Sequence, residues 1–184
     1  MSLSKGLMLE KVKKYETGII KQRWGIYSII GIAFGVFDFY YHSYLANILA
    51  RQQVFTPSIG GEIIWLTLSI GIWLVPIVPI IIYEAKISKS KLRASFASIL
   101  TWCASIVSYY LTNAFQLAFV GSSGRLELHI SNQNDPFFWE NWGNVFYQDI
   151  IVAGILRWSV VAVLGGLIIG FLTSFIYLRF IANR

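Results

Sequence analysis

An aspartate and a histidine one helical turn apart, Asp38 and His42, close a stretch from Trp24 to His42 that is otherwise apolar enough to cross a bilayer. A carboxylate and an imidazole at i and i+4 share one helix face, where they can line a polar pocket or ligate a metal ion together. Ser28, Gly31, Gly35, Asp38 and His42 all recur at helical spacing, so small and ionisable residues form one seam while Ile, Phe and Tyr cover the rest. An ionisable group in hydrocarbon costs about 2.5–3.5 kcal/mol on insertion scales, so the seam should face protein and Asp38 should have a partner or water nearby. The rest of the chain is expected to be arranged around this stretch.

Arg157 is the expected partner. At 1.5 Å per residue Asp38 lies roughly 21 Å along its span, and Arg157 roughly 12 Å below the outer boundary of the last span, within a turn or so of the same level. Opposite charges at one depth are the cheapest way to keep both in a bilayer. Glu62, Asn113, Gln116 and His42 belong to the same outer third, with Tyr40, Tyr41, Trp65, Tyr109 and Tyr110 near them. Two readings fit this cluster. In one, Asp38 and Arg157 form a buried pair that fixes helix register; in the other, Asp38, His42, Glu62, Asn113, Gln116 and Arg157 line an outward-opening pocket for a small molecule, a lipid or an ion.

A metal is a third reading, with Asp38 and His42 joined by Glu62 from the second span and copper or another transition metal as the cofactor. Asp38-x-x-x-His42 followed by Phe55-Thr56-Pro57-Ser58 resembles the C subunit of copper membrane monooxygenases, where an Asp-x-x-x-His closes one span and a Phe-Thr-Pro-Ser stretch opens the next. That resemblance implies a metal-dependent membrane oxidoreductase subunit. It departs from the family at Ile59, where the family has its second His, and in a longer intervening connection, so a site of that kind would lack one ligand.

The elements that must position these residues follow from composition and hydropathy. The chain has 184 residues, 56% hydrophobic and 13% charged, with a mean hydropathy of +0.61, which places it among polytopic membrane proteins rather than soluble domains. Apolar segments at about 24–46, 60–84, 92–119 and 150–178 each supply the roughly 20 residues a hydrocarbon core requires. Six basic residues precede the first span, four (Lys86, Lys89, Lys91, Arg93) separate the second from the third, and two (Arg179, Arg184) end the chain, against Arg51 and Arg125 in the other connections. By the positive-inside rule both termini are cytoplasmic and the 47–59 and 120–149 connections face outward. The basic residues border spans instead of forming an aromatic-interleaved patch, which argues against nucleic acid as a partner despite a net charge of +6. The start lacks the apolar core and cleavage site of a signal peptide, so the whole chain is expected to be mature, with the first span as its signal anchor. Cys103, the single cysteine, is inside an apolar segment and forms no intrachain disulfide.

Residues 1–23 have Met8, Val12, Tyr15 and Ile19 on one side and lysines on the other, an amphipathic helix suited to the cytoplasmic membrane surface and its lipids. Span two carries Glu62 near its outer end, then Pro76 and Pro79, which remove two backbone donors and predict a bend. Span three repeats small residues at Ala94, Ser98, Thr101, Ser105, Ser108 and Thr112, and spans one and four carry Gly31-x-x-x-Gly35 and Gly166-x-x-x-Gly170. These are seams for close helix packing. In the second outer connection, Arg125 to Ser131 alternates as a half-buried strand does and can pair with Gln53 to Thr56; Asn134-Asp135-Pro136 then caps an aromatic stretch, FFWENWGNVFYQ, expected to lie in the interface before span four.

The sequence therefore predicts an all-α integral membrane protein of four transmembrane helices in a single polytopic domain, residues 1–184. An N-terminal amphipathic helix (1–23) leads into spans one to three (24–119), an outer cap of a short β-hairpin and an interfacial aromatic helix (120–149), and span four with its tail (150–184). No phosphate-binding glycine loop or hydrolase arrangement is evident, and Gly121-Ser122-Ser123-Gly124 reads as a flexible turn. The expected role is a noncatalytic plasma-membrane subunit that binds a small ligand or lipid on its outer side, together with other membrane subunits or further copies of itself; the metal-dependent oxidoreductase subunit is the alternative.

Overall fold

The structure is a computed structural model that describes residues 2–51, 59–120 and 134–182; among the side chains it leaves out are those of 2–17 and 59–62. Everything described is helix or short turn. In chain order the helices are α1 (Ser2–Arg51), α2 (Ile59–Ser88), α3 (Lys91–Phe115), α4 (Phe138–Val145) and α5 (Arg157–Ile176). Wider, i→i+5 turns extend α3 through Gln116–Val120, join α4 to α5 through Phe146–Leu156 and close the chain through Tyr177–Ile181. Four of these helical runs are long and apolar enough to cross a membrane: Ile20–Leu45, Thr67–Ser88, Lys91–Val120 and Phe138–Ile181. Both hairpin strands expected of the cap, within 52–58 and 121–133, lie outside the described residues.

α3 is the centre of the fold, not the Trp24–His42 stretch of α1. Half of its span is buried inside the chain, against 22–29% for the other three, and it packs extensively on α1, α2 and α5. The cause is its repeat of small residues: Ala94, Ser98, Thr101, Ser105 and Ser108 are all buried, so neighbouring backbones come close on more than one side. Gly31 and Gly35 of α1 meet the Thr101 and Ser105 carbonyls. On another side a Cβ at Gly166 of α5 would stand 2.9 Å from the Ile99 side chain, and one at Gly170 would stand 2.5 Å from the Ser95 Cα. The register rises in step between α1 and α3 and falls between α5 and α3, so α1 and α3 are parallel and α5 runs back.

α2 is antiparallel to both α1 and α3, since Tyr27 meets Glu84 while Phe34 meets Trp73 further along. Pro76 and Pro79 lie within one helical run without a break. A two-residue link turns α2 into α3: Lys89 takes a positive φ of 51°, its N–H closing on the Ala85 carbonyl, and Ser90 accepts from the Arg93 N–H as N-cap.

Two expected helices are not separate elements. The amphipathic stretch is the beginning of α1, which runs uninterrupted into the first span. The aromatic stretch, α4, likewise passes without a break into the last span. Asp135 forms the turn before it, its carboxylate accepting from the Phe137 N–H at 2.8 Å, but the N-cap of α4 is Phe137 with no side-chain cap, so Pro136 precedes the helix instead of occupying its first position.

Candidate functional site

The seam shared by α1 and α3 changes character along its length. Near its middle it is tight and satisfied: Ser108 donates to the Ile32 carbonyl at 2.8 Å, while Thr101 and Ser105 return their hydroxyls to their own helix. One turn further from the lysine-rich end the side chains grow. Phe39 and His42 set their rings edge-on to Tyr109 with centroids 5.7 and 5.9 Å away, and Gln116 donates to the Tyr40 hydroxyl at 2.8 Å.

Asp38 is in this region at 0% exposure. His42 Nδ1 stands 2.9 Å from one of its carboxylate oxygens and 3.0 Å from its backbone carbonyl oxygen. The ring nitrogen is aligned with the carbonyl, so neither carboxylate oxygen accepts a hydrogen bond among the described residues. Asn113 is also at 0% exposure, and neither its amide nitrogen nor its oxygen is hydrogen-bonded there. The hydroxyl of Ser69 on α2 is a third buried group in the same condition.

Register places the three in the same far stretch of α1, α2 and α3. Trp73 meets Phe34 and Trp102 at 6.0 and 5.9 Å, and Ser69, Asp38 and Ile106 are each four residues beyond one of those rings toward the far end. Asp38 is one turn from Phe34, which faces α2, and three residues from Gly35, which faces α3. Asn113 is one turn beyond Tyr109, which faces α1. A carboxylate and a hydroxyl on α1 and α2 are therefore at one level, and a carboxamide on α3 lies about two turns beyond Ile106 on the side of α3 that meets α1. The walls of the wedge between these helices are aromatic: Trp73 and Trp142 pack against the cluster of Phe39, Tyr109 and Tyr110, and the Trp142 indole reaches the Ala114 carbonyl at 3.4 Å.

Of the sequence candidates, Asp38, His42, Asn113 and Gln116 are at this end of the α1–α3 seam. Arg157 is not their partner. It is exposed, and the ion pairs among the described residues are His42–Asp38 and Arg23–Glu84. The physical reason is that α3 lies between the first and last spans. The i→i+5 turns of Phe146–Leu156 also shift the faces around the helix relative to an α-helical count; Gly154, not Arg157, meets Tyr110. Glu62, the third member of the expected metal set, has its side chain outside the described residues, as has the whole Phe55–Ser58 stretch. Among the described residues no three His, Cys, Asp or Glu gather where a metal ion could be held.

Sequence reasoning missed a second buried carboxylate, at the lysine-rich end. Glu84 is 1% exposed and accepts from Arg23 Nη1 at 3.0 Å and from the Tyr27 hydroxyl at 2.7 Å. The signal was present, since Glu84 continues the stripe Ile77, Ile80 and Ile81, the buried face of α2. Compared with family models, with curated proteins and with solved structures, the chain shows no match, so its function has to be argued from its own residues.

Proposed function

We propose that this chain is a multi-pass plasma-membrane protein, with both termini cytoplasmic, that binds a small polar ligand in the outer third of its helices and works as a subunit of a larger membrane assembly. The orientation is supported by the basic residues, which border one end of the spans, and by Arg23, Lys91 and Arg179, which lie there against Glu84, Phe175 and Phe180. The assembly is supported by the open construction around α3: the other three spans leave most of their apolar surface uncovered by this chain.

The observation that carries the binding role is the group at the outer end formed by the buried Asp38 and Asn113 side chains and the buried hydroxyl of Ser69, whose polar atoms have no hydrogen-bond partner among the described residues; Ser98 Oγ and Arg23 Nε, in the same condition, lie toward the other end. A buried donor or acceptor left unsatisfied costs about 1–3 kcal/mol, and more when charged. Three helices that converge on such groups are stable together when something completes them. His42 and the tyrosines around Asp38 then shape the pocket, holding the carboxylate away from lipid.

Native mass spectrometry of the protein released from detergent tests the binding reading. A bound small species in the wild type that is lost in Asp38→Asn supports it; identical bare masses for both overturn it. Elemental analysis of the same samples separates the oxidoreductase alternative, which requires stoichiometric copper, iron or zinc. Co-purification of other polypeptides at fixed ratio tests the subunit role, and a lone monomer in mild detergent overturns that part.

A further inference from the structure

We infer that the occupant of the wedge between α1, α2 and α3 is a monovalent cation with an oxygen coordination shell, sodium being the best fit, held by Asp38 with Ser69 and Asn113. The inference rests on the binding reading above and names its ligand. The first argument is charge. Among the described residues the wedge contains one carboxylate, 0% exposed, with the His42 imidazole 2.9 Å from it and no Lys or Arg paired with it. A single positive charge neutralises that site, whereas a divalent ion would leave a net charge in a low-dielectric interior.

The second argument is donor chemistry. Of the buried groups without hydrogen bonds among the described residues, those at this end are two carboxylate oxygens, a hydroxyl oxygen and a carboxamide, while Ser98 Oγ and Arg23 Nε lie toward the other end; the former are a hard set that suits an alkali or alkaline-earth cation and not a thiophilic or imidazole-seeking transition metal. The one nearby imidazole has its Nδ1 turned to the Asp38 carbonyl at 3.0 Å. The third argument is provenance: the three side chains come from three separate helices, so a cation bridging them ties α1 and α2 to α3 where the small-residue seam gives way to bulky side chains.

The test is thermal unfolding of the whole chain in detergent at one pH and one chloride concentration, with sodium, potassium, lithium or choline as the only cation. Sodium should raise the melting temperature over choline by about 5–10 °C once it exceeds its Kd about a hundredfold. In Asp38→Asn the difference between sodium and choline should vanish while the protein still unfolds cooperatively. Ser69→Ala and Asn113→Leu should each shift the sodium midpoint upward by about tenfold or more. Equal melting temperatures of the wild type in all four salts, or a sodium response retained by Asp38→Asn, overturn the inference. So does stabilisation by acid that depends on Asp38 but not on the cation, which would mean that the carboxyl is simply protonated. A wild type indifferent to cations that still retains a neutral molecule in native mass spectra removes the cation and leaves the binding reading in place. Indifference to cations with nothing retained removes both.

Discussion

Among the described residues two carboxylates are almost fully buried, Asp38 at 0% and Glu84 at 1% exposure, and their surroundings differ in kind. Glu84 receives a charged hydrogen bond from Arg23 and a phenolic one from Tyr27, so its charge is balanced by groups of the chain itself. Asp38 has an imidazole alongside, and its carboxylate oxygens accept no hydrogen bond among the described residues. A carboxylate satisfied from within the chain fixes how α1 and α2 cross, even though the Arg23 Nε beside it is without a hydrogen bond among the described residues; a carboxylate with none implies a visitor. The difference teaches that burial of an acid does not by itself mark a site, and that the state of its hydrogen bonds does.

The comparison breaks first at the paired end. Arg23→Ala should destabilise the protein by about 3–5 kcal/mol, because it leaves the buried Glu84 charge without its counterion; thermal unfolding in detergent measures it, and a loss near zero would mean that Glu84 needs no partner. Tyr27→Phe, which removes one hydrogen bond to a charged group, should cost about 1.5–3 kcal/mol in the same assay. Asp38→Asn should behave oppositely. In choline chloride its stability should lie within about 1 kcal/mol of the wild type or above it, since a neutral amide is cheaper to bury than a carboxylate whose oxygens accept no hydrogen bond among the described residues. A large loss there would place Asp38 with Glu84 as a structural acid.

Much of the fold was legible because helical periodicity reports which face of a helix is covered. Ala94 through Ser108 and the two glycine pairs were read as seams, and all of them pack closely. Periodicity does not report what covers a face. The seams on α1 and α5 both fit α3, which therefore became the hub and kept the first and last spans apart. Direction around the axis of the last span was not legible, because the i→i+5 turns of Phe146–Leu156 have no marker in the residue types. Glu84 was overlooked for a related reason: it stands at the very end of the second apolar segment, and only its spacing from Ile77 and Ile81 puts it on the buried face of α2.

The smallest expected effect sharpens the contrast most. Arg157 and Asp38 were matched by charge and depth alone, and the helix between them decides the matter. If α3 separates them, Arg157→Gln should leave stability within about 0.5 kcal/mol of the wild type and leave the sodium response unchanged, as a substitution of an unpaired surface group does. The double variant with Asp38→Asn should then equal the sum of the two singles, because groups with no shared partner do not couple. A coupling of 1 kcal/mol or more would be about what a buried ion pair produces, and would mean that Arg157 turns inward to neutralise Asp38. In that event the carboxylate would need no cation, and the two buried acids of this chain would be held in the same way.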